Sequence, residues 1–335
     1  MTRLPVGKVP PELLRTLAYA HLGARRPDVL VHAAVGEDCA AIAFGDEAAV
    51  LTTDPITGAG HHAGWYAVFV ATNDLAAAGA EPVALMLTLL LSEDDPAGDM
   101  ARVMHDAGAA AASIGVEIVG GHSEVTRGID RTIVVMTAVG RAPRARLVRS
   151  GGAQPGDRLL VTKGAGIEGT AILATDLAAR LRPALGDALL ARAQAFRDRL
   201  SVLPEGRAAA GAGARAMHDV TEGGVLTAAH EIATASGVGV RVDADRIPVP
   251  DETAAICRVL GANPLALIGS GALLIATADP ARTAEAVRAT GAPVAEIGEF
   301  LGAGAPPVVQ HAGRTSPLVP AARDELWRVL EEAPD

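Results

Sequence analysis

Strand-length apolar runs alternate with longer alanine-rich stretches over the first 142 residues. ELLRTLAYAHLG, after Pro10 and Pro11, is amphipathic and ends on a glycine, which predicts a short helix. The run Glu47–Thr53 predicts a strand ending at Asp54, and Ala63–Ala80 a helix closed by Gly79. Val83–Leu91 suits a buried strand and Pro96–Gly115 a second helix. Val116–Val119 and Arg131–Gly140 are expected as strands flanking a GGHSEVTRG turn.

The texture then changes. Residues 142–157, APRARLVRSGGAQPGD, are basic and then rich in Gly, Pro and polar residues, as linkers are. This divides the chain into an N-terminal unit, 1–150, and a C-terminal unit, 151–335. The second unit is expected to open with a strand at Arg158–Thr162 and a glycine turn, KGAGIEGT. Helices are predicted at Ala171–Arg180, Asp187–Leu200, near Glu205–Ala214, and at Gly224–Ala235. Strands are predicted at Gly239–Val242 and Ala272–Thr277, then helix, strand and helix at Pro280–Thr290, Val294–Phe300 and Ala321–Glu332. Asp279 is placed to cap the first of these, with Pro280 in its first turn. No short-period repeat is visible.

Half of the chain is hydrophobic but only 2% is aromatic, so the core must be built from Ala, Val, Leu and Ile. The net charge of −10 argues against a nucleic-acid partner. Cys39 and Cys257 are too few for a disulfide framework or a zinc site. MTRLPVGKVPPELL lacks the apolar stretch of a signal peptide, and no apolar run is long enough to span a membrane. The expected location is therefore the cytoplasm, with no membrane partner.

Against this apolar background, four short segments carry carboxylates among small residues: VGEDCAA, LTTDP, TNDLAAAGAEP and VGGHSEVT. Their acids are Glu37, Asp38, Asp54, Asp74 and Glu124. A carboxylate beside a core is costly unless compensated, and converging carboxylates repel one another unless a cation lies between them. Hard oxygen donors suit Mg²⁺, which commonly arrives with phosphates. Asp74 is the only charged residue between Ala63 and Ala80, so Asn73–Asp74 in that helix points to a binding role. Gly120 and Gly121 allow close backbone approach and could offer N–H groups to phosphate. In MHDVTEGG, His218, Asp219, Thr221 and Glu222 precede a Gly223–Gly224 helix start. Thr221 is expected as its N-cap, with free N–H groups open to an anion. GxxxxGK[ST], GxSxG and HExxH are all absent. Cys39 beside Asp38 reads better as a small buried residue than as a reactive thiol.

The ordered set GEDCAA, TTD, NDLAAAGAEP, GGHSEVT and MHDVTEGG resembles the aminoimidazole ribonucleotide (AIR) synthetase superfamily, from about Gly7 to Phe300. That superfamily, PurM-like in fold, includes the hydrogenase maturation factor HypE, thiamine-monophosphate kinase and selenophosphate synthetase. The texture is most similar to HypE-like AIR synthase-related proteins. The resemblance implies an α+β protein of two domains. The N-terminal domain would bind ATP and Mg²⁺ and pair into a homodimer with a shared β-barrel, followed by a C-terminal α/β domain.

It also implies phosphoryl transfer to, or activation of, a small-molecule acceptor. By position, Asp38, Asp54 and Asp74 match the metal-binding aspartates, with His122 and Glu124 as further candidates. Lys8, Asn73, Gly120, Gly121, Thr221, Gly223 and Gly224 would face the nucleotide, and Asp74, His218 and Asp219 would act in catalysis. His122 departs from the pattern, standing where kinase and HypE relatives usually have Asp. Imidazole is a poorer partner for Mg²⁺ than carboxylate. The chain ends EEAPD without the terminal cysteine of HypE, and Lys8 has no cysteine beside it as in selenophosphate synthetases; neither activity is expected. The alternatives are a non-catalytic nucleotide-binding accessory with a metalloenzyme-maturation partner, or thiamine-monophosphate kinase or AIR synthetase activity.

Overall fold

The computed structural model describes residues 8–56 and 61–332. Gly7, where the motif likeness begins, and the last three residues of EEAPD lie outside them. The predicted first helix is a run of short helical turns, beginning with α1 (Pro11–Leu13).

Beyond those turns, the first unit is a six-stranded sheet with two long helices. Its strands are β1 (Val29–Val31), β2 (Ala40–Phe44), β3 (Glu47–Ile56), β4 (Glu81–Leu91), β5 (Glu117–Val125) and β6 (Ile133–Pro143). They lie in the order β1-β2-β3-β6-β4-β5. All pairs are antiparallel except β4 with β5, because the intervening helix carries the chain back to run the same way. The helices α2 (Ala63–Ala77) and α3 (Pro96–Ser113) cover one face, onto which Val50, Leu85, Leu87, Leu89, Val134 and Met136 point. α2 ends at Gly79 in the left-handed region, φ 68°.

The second unit is a seven-stranded sheet, ordered β13-β12-β9-β11-β7-β10-β8. Its elements in chain order begin β7 (Arg158–Thr162), α4 (Ile167–Asp176), α5 (Ala178–Gln194), α6 (Leu203–Ala212), β8 (Ala216–Asp219), α7 (Gly224–Ser236), β9 (Gly239–Asp243) and α8 (Asp251–Leu260). There follow β10 (Leu273–Thr277), α9 (Pro280–Arg288), β11 (Val294–Leu301), β12 (Val308–His311), β13 (Arg314–Pro317) and α10 (Glu325–Glu332). The central strands are buried on both faces. Leu159, Val161, Leu274 and Ala276 pack with α7, while Leu160, Leu273 and Ile275 pack with α6 and α9. Asp279 caps α9, accepting from the Arg282 N–H at 3.1 Å, with Pro280 in the first turn.

α2 joins the two units. Ala76 and Ala77 at its end pack with Val202, Ala209 and Met217 of the second unit. α6 crosses so closely that a Cβ on Gly206 would stand 2.4 Å from the Ala76 carbonyl oxygen. The Asn73 side chain bolts the contact from within, donating to the Leu200 carbonyl and accepting from the Val202 N–H, both at 2.9 Å.

Candidate functional site

Period-two alternation puts Thr52 and Asp54 on the same face of β3 as Ala48 and Val50, toward α2. Asp74 on α2 meets them there. The Thr52 hydroxyl is 2.5 Å from Asp74 Oδ2 and 3.2 Å from Asp54 Oδ2. One hydroxyl proton thus lies between two carboxylates and cannot satisfy both. Asp38, in the loop before β2, is held by the Ser150 hydroxyl at 3.1 Å, and its neighbour Glu37 by Arg149 at 2.9 Å.

From the second unit, β8 delivers two consecutive residues in opposite directions. His218 sits on the α7 side, its Nδ1 3.1 Å from Asp38 Oδ1 and its Nε2 3.2 Å from Glu231 Oε2 of α7. Asp219 is fully buried, 3.9 Å from His218 Nδ1, and neither of its carboxylate oxygens has a hydrogen-bond partner. Asp38, His218 and Asp219 each offer a ligand atom within 4.8 Å of the others. Four aspartates from two units therefore converge on one buried place.

The electrostatics record the crowding. Burial, then Asp54, Asp219 and Asp38, push the Asp74 carboxyl well above the usual range. Burial and Asp219 raise Asp54. Burial raises Asp38 to about 7 despite His218, with Asp219 and Glu231 adding to the rise. Burial opposes a charged His218, but Asp38, Asp219 and Glu231 outweigh it and hold the imidazole's pKa well above its ordinary value. Glu231 goes the other way, to about 2: burial raises it, and His218 and Lys8 more than reverse this. Cys39 is forced upward by burial and by the four aspartates, so its thiol is not activated.

This donor set fits a hard divalent cation. Asp219 keeps two unpartnered buried oxygens, and the aspartates facing it repel one another without a positive charge among them. A protonated His218 has no lone pair to give, so it balances charge instead of ligating.

Lys8 reaches over the site from the chain's start. Its Nζ is 3.2 Å from the Thr221 hydroxyl and 3.3 Å from Glu231 Oε1, and its backbone N–H donates to Glu222 at 3.1 Å. The other sequence-expected residues stand differently. Thr221 is not the N-cap of α7; Gly223 is, at φ 84°, a left-handed conformation that favours glycine. The Gly223 N–H is already taken by Asp324 at 2.6 Å, so that donor is not free for an anion. The Asn73 amide is spent on backbone groups and faces no site.

Gly120 and Gly121 form no turn. They lie within β5, where Gly121 pairs with Leu87 so closely that a Cβ would overlap the Leu87 carbonyl. His122 and Glu124 lie on the same exposed edge strand and bond to each other at 3.1 Å. The row Asp54–Met136–Leu87–Gly121 puts them three strands away, about 14 Å at the usual strand spacing. They do not join the aspartate cluster within one chain.

Glu231, Ser150 and Thr52 were missed from sequence. Glu231 had a signal: α7 is apolar apart from His230, Glu231 and small polar residues, the same isolation that singles out Asp74. Thr52 stands inside the LTTDP segment but was not itself assigned a role, and Ser150 had no signal.

The model of the AIR synthase related protein N-terminal domain matches residues 36–142, and that of the corresponding C-terminal domain matches residues 154–309. A putative hydrogenase expression/formation protein of Methanocaldococcus jannaschii is 30% identical over 283 residues, covering 81% of this chain and 80% of that one. Carbamoyl dehydratase HypE of Rhodobacter capsulatus is 32% identical over 292 residues, covering 85% and 81%. Among solved structures, the hydrogenase maturation protein HypE in complex with ATP superposes with a TM-score of 0.67 at 25% identity, covering 97% of this chain and 98% of that one.

Proposed function

The chain belongs to the AIR synthase related family, and on that footing we propose that it binds Mg-ATP and transfers its γ-phosphoryl group to a small-molecule acceptor, or activates the acceptor that way. The observation that carries the reading is the convergence of Asp38, Asp54, Asp74 and Asp219, with both Asp219 oxygens buried and unpartnered. These four carboxylates would hold Mg²⁺. When bound, it supplies the charge neutralisation that phosphoryl transfer demands.

The chain's own residues do the rest. Lys8 and the Thr221 hydroxyl stand at the rim, where phosphate oxygens need donors. His218, held cationic between Asp38 and Glu231, fixes the Asp38 carboxylate and offsets its charge. The ATP complex of the HypE-like structure supports the nucleotide. Isothermal titration with a non-hydrolysable ATP analogue tests the reading: binding near one site per chain that requires Mg²⁺ is expected. Absence of binding with and without the metal overturns it.

We also propose a homodimer built on the first unit's sheet. β5 is an edge strand with Val119 and Val125 exposed, and Met86 stands out on neighbouring β4. The face away from α2 and α3 carries Leu51, Leu90, Val135 and Val139, none fully buried. Such an edge and face invite pairing with another copy. The likeness to a hydrogenase expression/formation protein and to carbamoyl dehydratase HypE supports an acceptor in hydrogenase or other metalloenzyme maturation. Retention of a maturation substrate by the protein in the presence of ATP, absent without it, is the matching test.

A further inference from the structure

α2 is fastened to the second unit near both of its ends, and the fastening runs through one short segment, residues 197–202. Near the end of α2, Asn73 takes the Leu200 carbonyl and the Val202 N–H. From the second unit itself Lys163, in the turn after β7, holds the residues between. Its ammonium donates to the Arg199 carbonyl at 3.1 Å and the Ser201 carbonyl at 2.6 Å, and meets Glu205 Oε1 at 2.7 Å. An ammonium has three N–H donors, so Lys163 is saturated.

The fastening at the start of α2 is of another kind. The Trp65 indole N–H donates to the Arg197 carbonyl at 3.1 Å, and the Arg197 guanidinium lies over the Trp65 ring, 5.4 Å from its centre. His62, the N-cap residue of α2, stands in the left-handed region at φ 60°. Its Nδ1 is 3.0 Å from Asp106 Oδ2 of α3, and its Nε2 is 3.0 Å from the Arg197 guanidinium. A guanidinium only donates, so Nε2 must accept. The single N–H of the neutral ring is then on Nδ1 and is donated to Asp106. Of these fasteners only His62 must accept a hydrogen bond from a cation, and histidine is the side chain whose charge ordinarily changes between pH 5 and 8.

We propose that His62 is a pH-sensitive clasp between the two units. Protonation puts a hydrogen on Nε2, which turns the acceptor for Arg197 into a second cation facing it. The Arg197 side chain is then released, and the segment at 197–199 loosens from the start of α2 while the Asn73 and Lys163 clamps stay shut. The charges around the ring pull both ways. On α3, Asp106 favours the imidazolium, with His105 3.4 Å from its other oxygen. From the second unit Arg197 opposes it, with Asp198 3.4 Å from the Arg197 Nε. His61 is turned away to Asp176 at the end of α4, 2.9 Å distant. Asp74 lies about 18 Å further along α2 at the usual helical rise, so the clasp works apart from the aspartate cluster.

Trp65 and Trp327 are the two tryptophans of the chain, so Trp327→Phe leaves Trp65 as the sole reporter of the clasp. In that full-length background, acrylamide quenching of Trp65 should rise about twofold from pH 8 to pH 5 as the clasp opens. Adding His62→Gln should flatten the response, because a glutamine amide donates to Asp106 and accepts from Arg197 at either pH. A rise that survives His62→Gln, or no rise at all, overturns the proposal. Nitrogen spectra of the histidine-labelled wild type judge it without the tryptophan variant. The His62 resonances, identified by their loss in His62→Gln, should show the proton on Nδ1 at pH 8 and on both nitrogens at pH 5. A proton on Nε2 at pH 8 leaves Arg197 no acceptor and overturns the clasp equally.

Discussion

The aspartate cluster at the junction of the two units and the His122–Glu124 pair on β5 look alike as sequence, since each draws on carboxylates set among small residues. In space they are opposites. The cluster is drawn from four elements, is buried, and is short of partners. The pair is drawn from one strand, lies open to water, and satisfies itself. Exposure decides the matter. A solvated carboxylate costs little, so it demands no ligand, whereas crowded buried carboxylates raise each other's pKa and favour a charge of the opposite sign among them.

Asp74→Asn separates the two regions most sharply: ATP turnover should fall at least 1,000-fold while circular dichroism stays native, and normal turnover would remove Asp74 from the site. The metal-free protein should respond the other way in stability. Asp219→Asn relieves repulsion without changing volume and should raise metal-free stability by about 1–2 kcal/mol in urea melts, while abolishing stabilisation by Mg²⁺.

The same logic sets a pH dependence. The folded Asp38 carboxyl is raised from 3.8 to about 7, so the native state binds this proton more tightly than the unfolded chain does. Its contribution is full below pH 3.8 and is lost as pH rises through 7. Asp54 and Asp74 add in the same direction. His218, also raised, likewise loses its contribution as pH rises through its folded pKa. Glu231 is lowered from 4.5 to about 2, so its contribution is full and constant above about pH 5. The metal-free Tm should therefore be lower at pH 8 than at pH 5, and Mg²⁺ should close the gap; a Tm that rises with pH would contradict the buried cluster.

On the β5 side, Val119→Lys should weaken self-association at least tenfold in sedimentation without moving the monomer's melting point. The smallest effect belongs to His122→Ala, for which Mg²⁺ affinity should change less than about twofold. A large loss there would place the β5 edge in the metal site.

Most long elements were legible because their patterns are local. The α2 stretch runs from Trp65 to Ala71 as Ala, Val and aromatic residues and is closed by Gly79, and Asp279–Pro280 announces α9 at its cap. Asp74 was legible for the same reason, as a lone charge in an apolar helix. What was not legible depends on distant partners. β8 reads AMHD, four residues with no alternation, and is a strand only because β10 pairs with it. The Gly-Gly of β5 resembles a turn, and only pairing with β4 keeps it extended. Thr221 has the chemistry of a cap, yet Gly223 takes the position and Asp324, a hundred residues on, takes the N–H.

The Asn73 bolt has a mechanical consequence. Residues 73 and 74 are neighbours on one helix: the first fastens the first unit to residues 200 and 202 of the second, and the second points into the aspartate cluster. The two units cannot swing apart at that point without tearing out a buried amide. Any opening must therefore pivot about α2, like jaws about a pin. The aspartates of the first unit form one jaw and Asp219 the other, so a cation seated between them acts as a latch close to the axle. A small rotation there is felt at the mouth of the site, where Lys8 lies across Thr221 and Glu222.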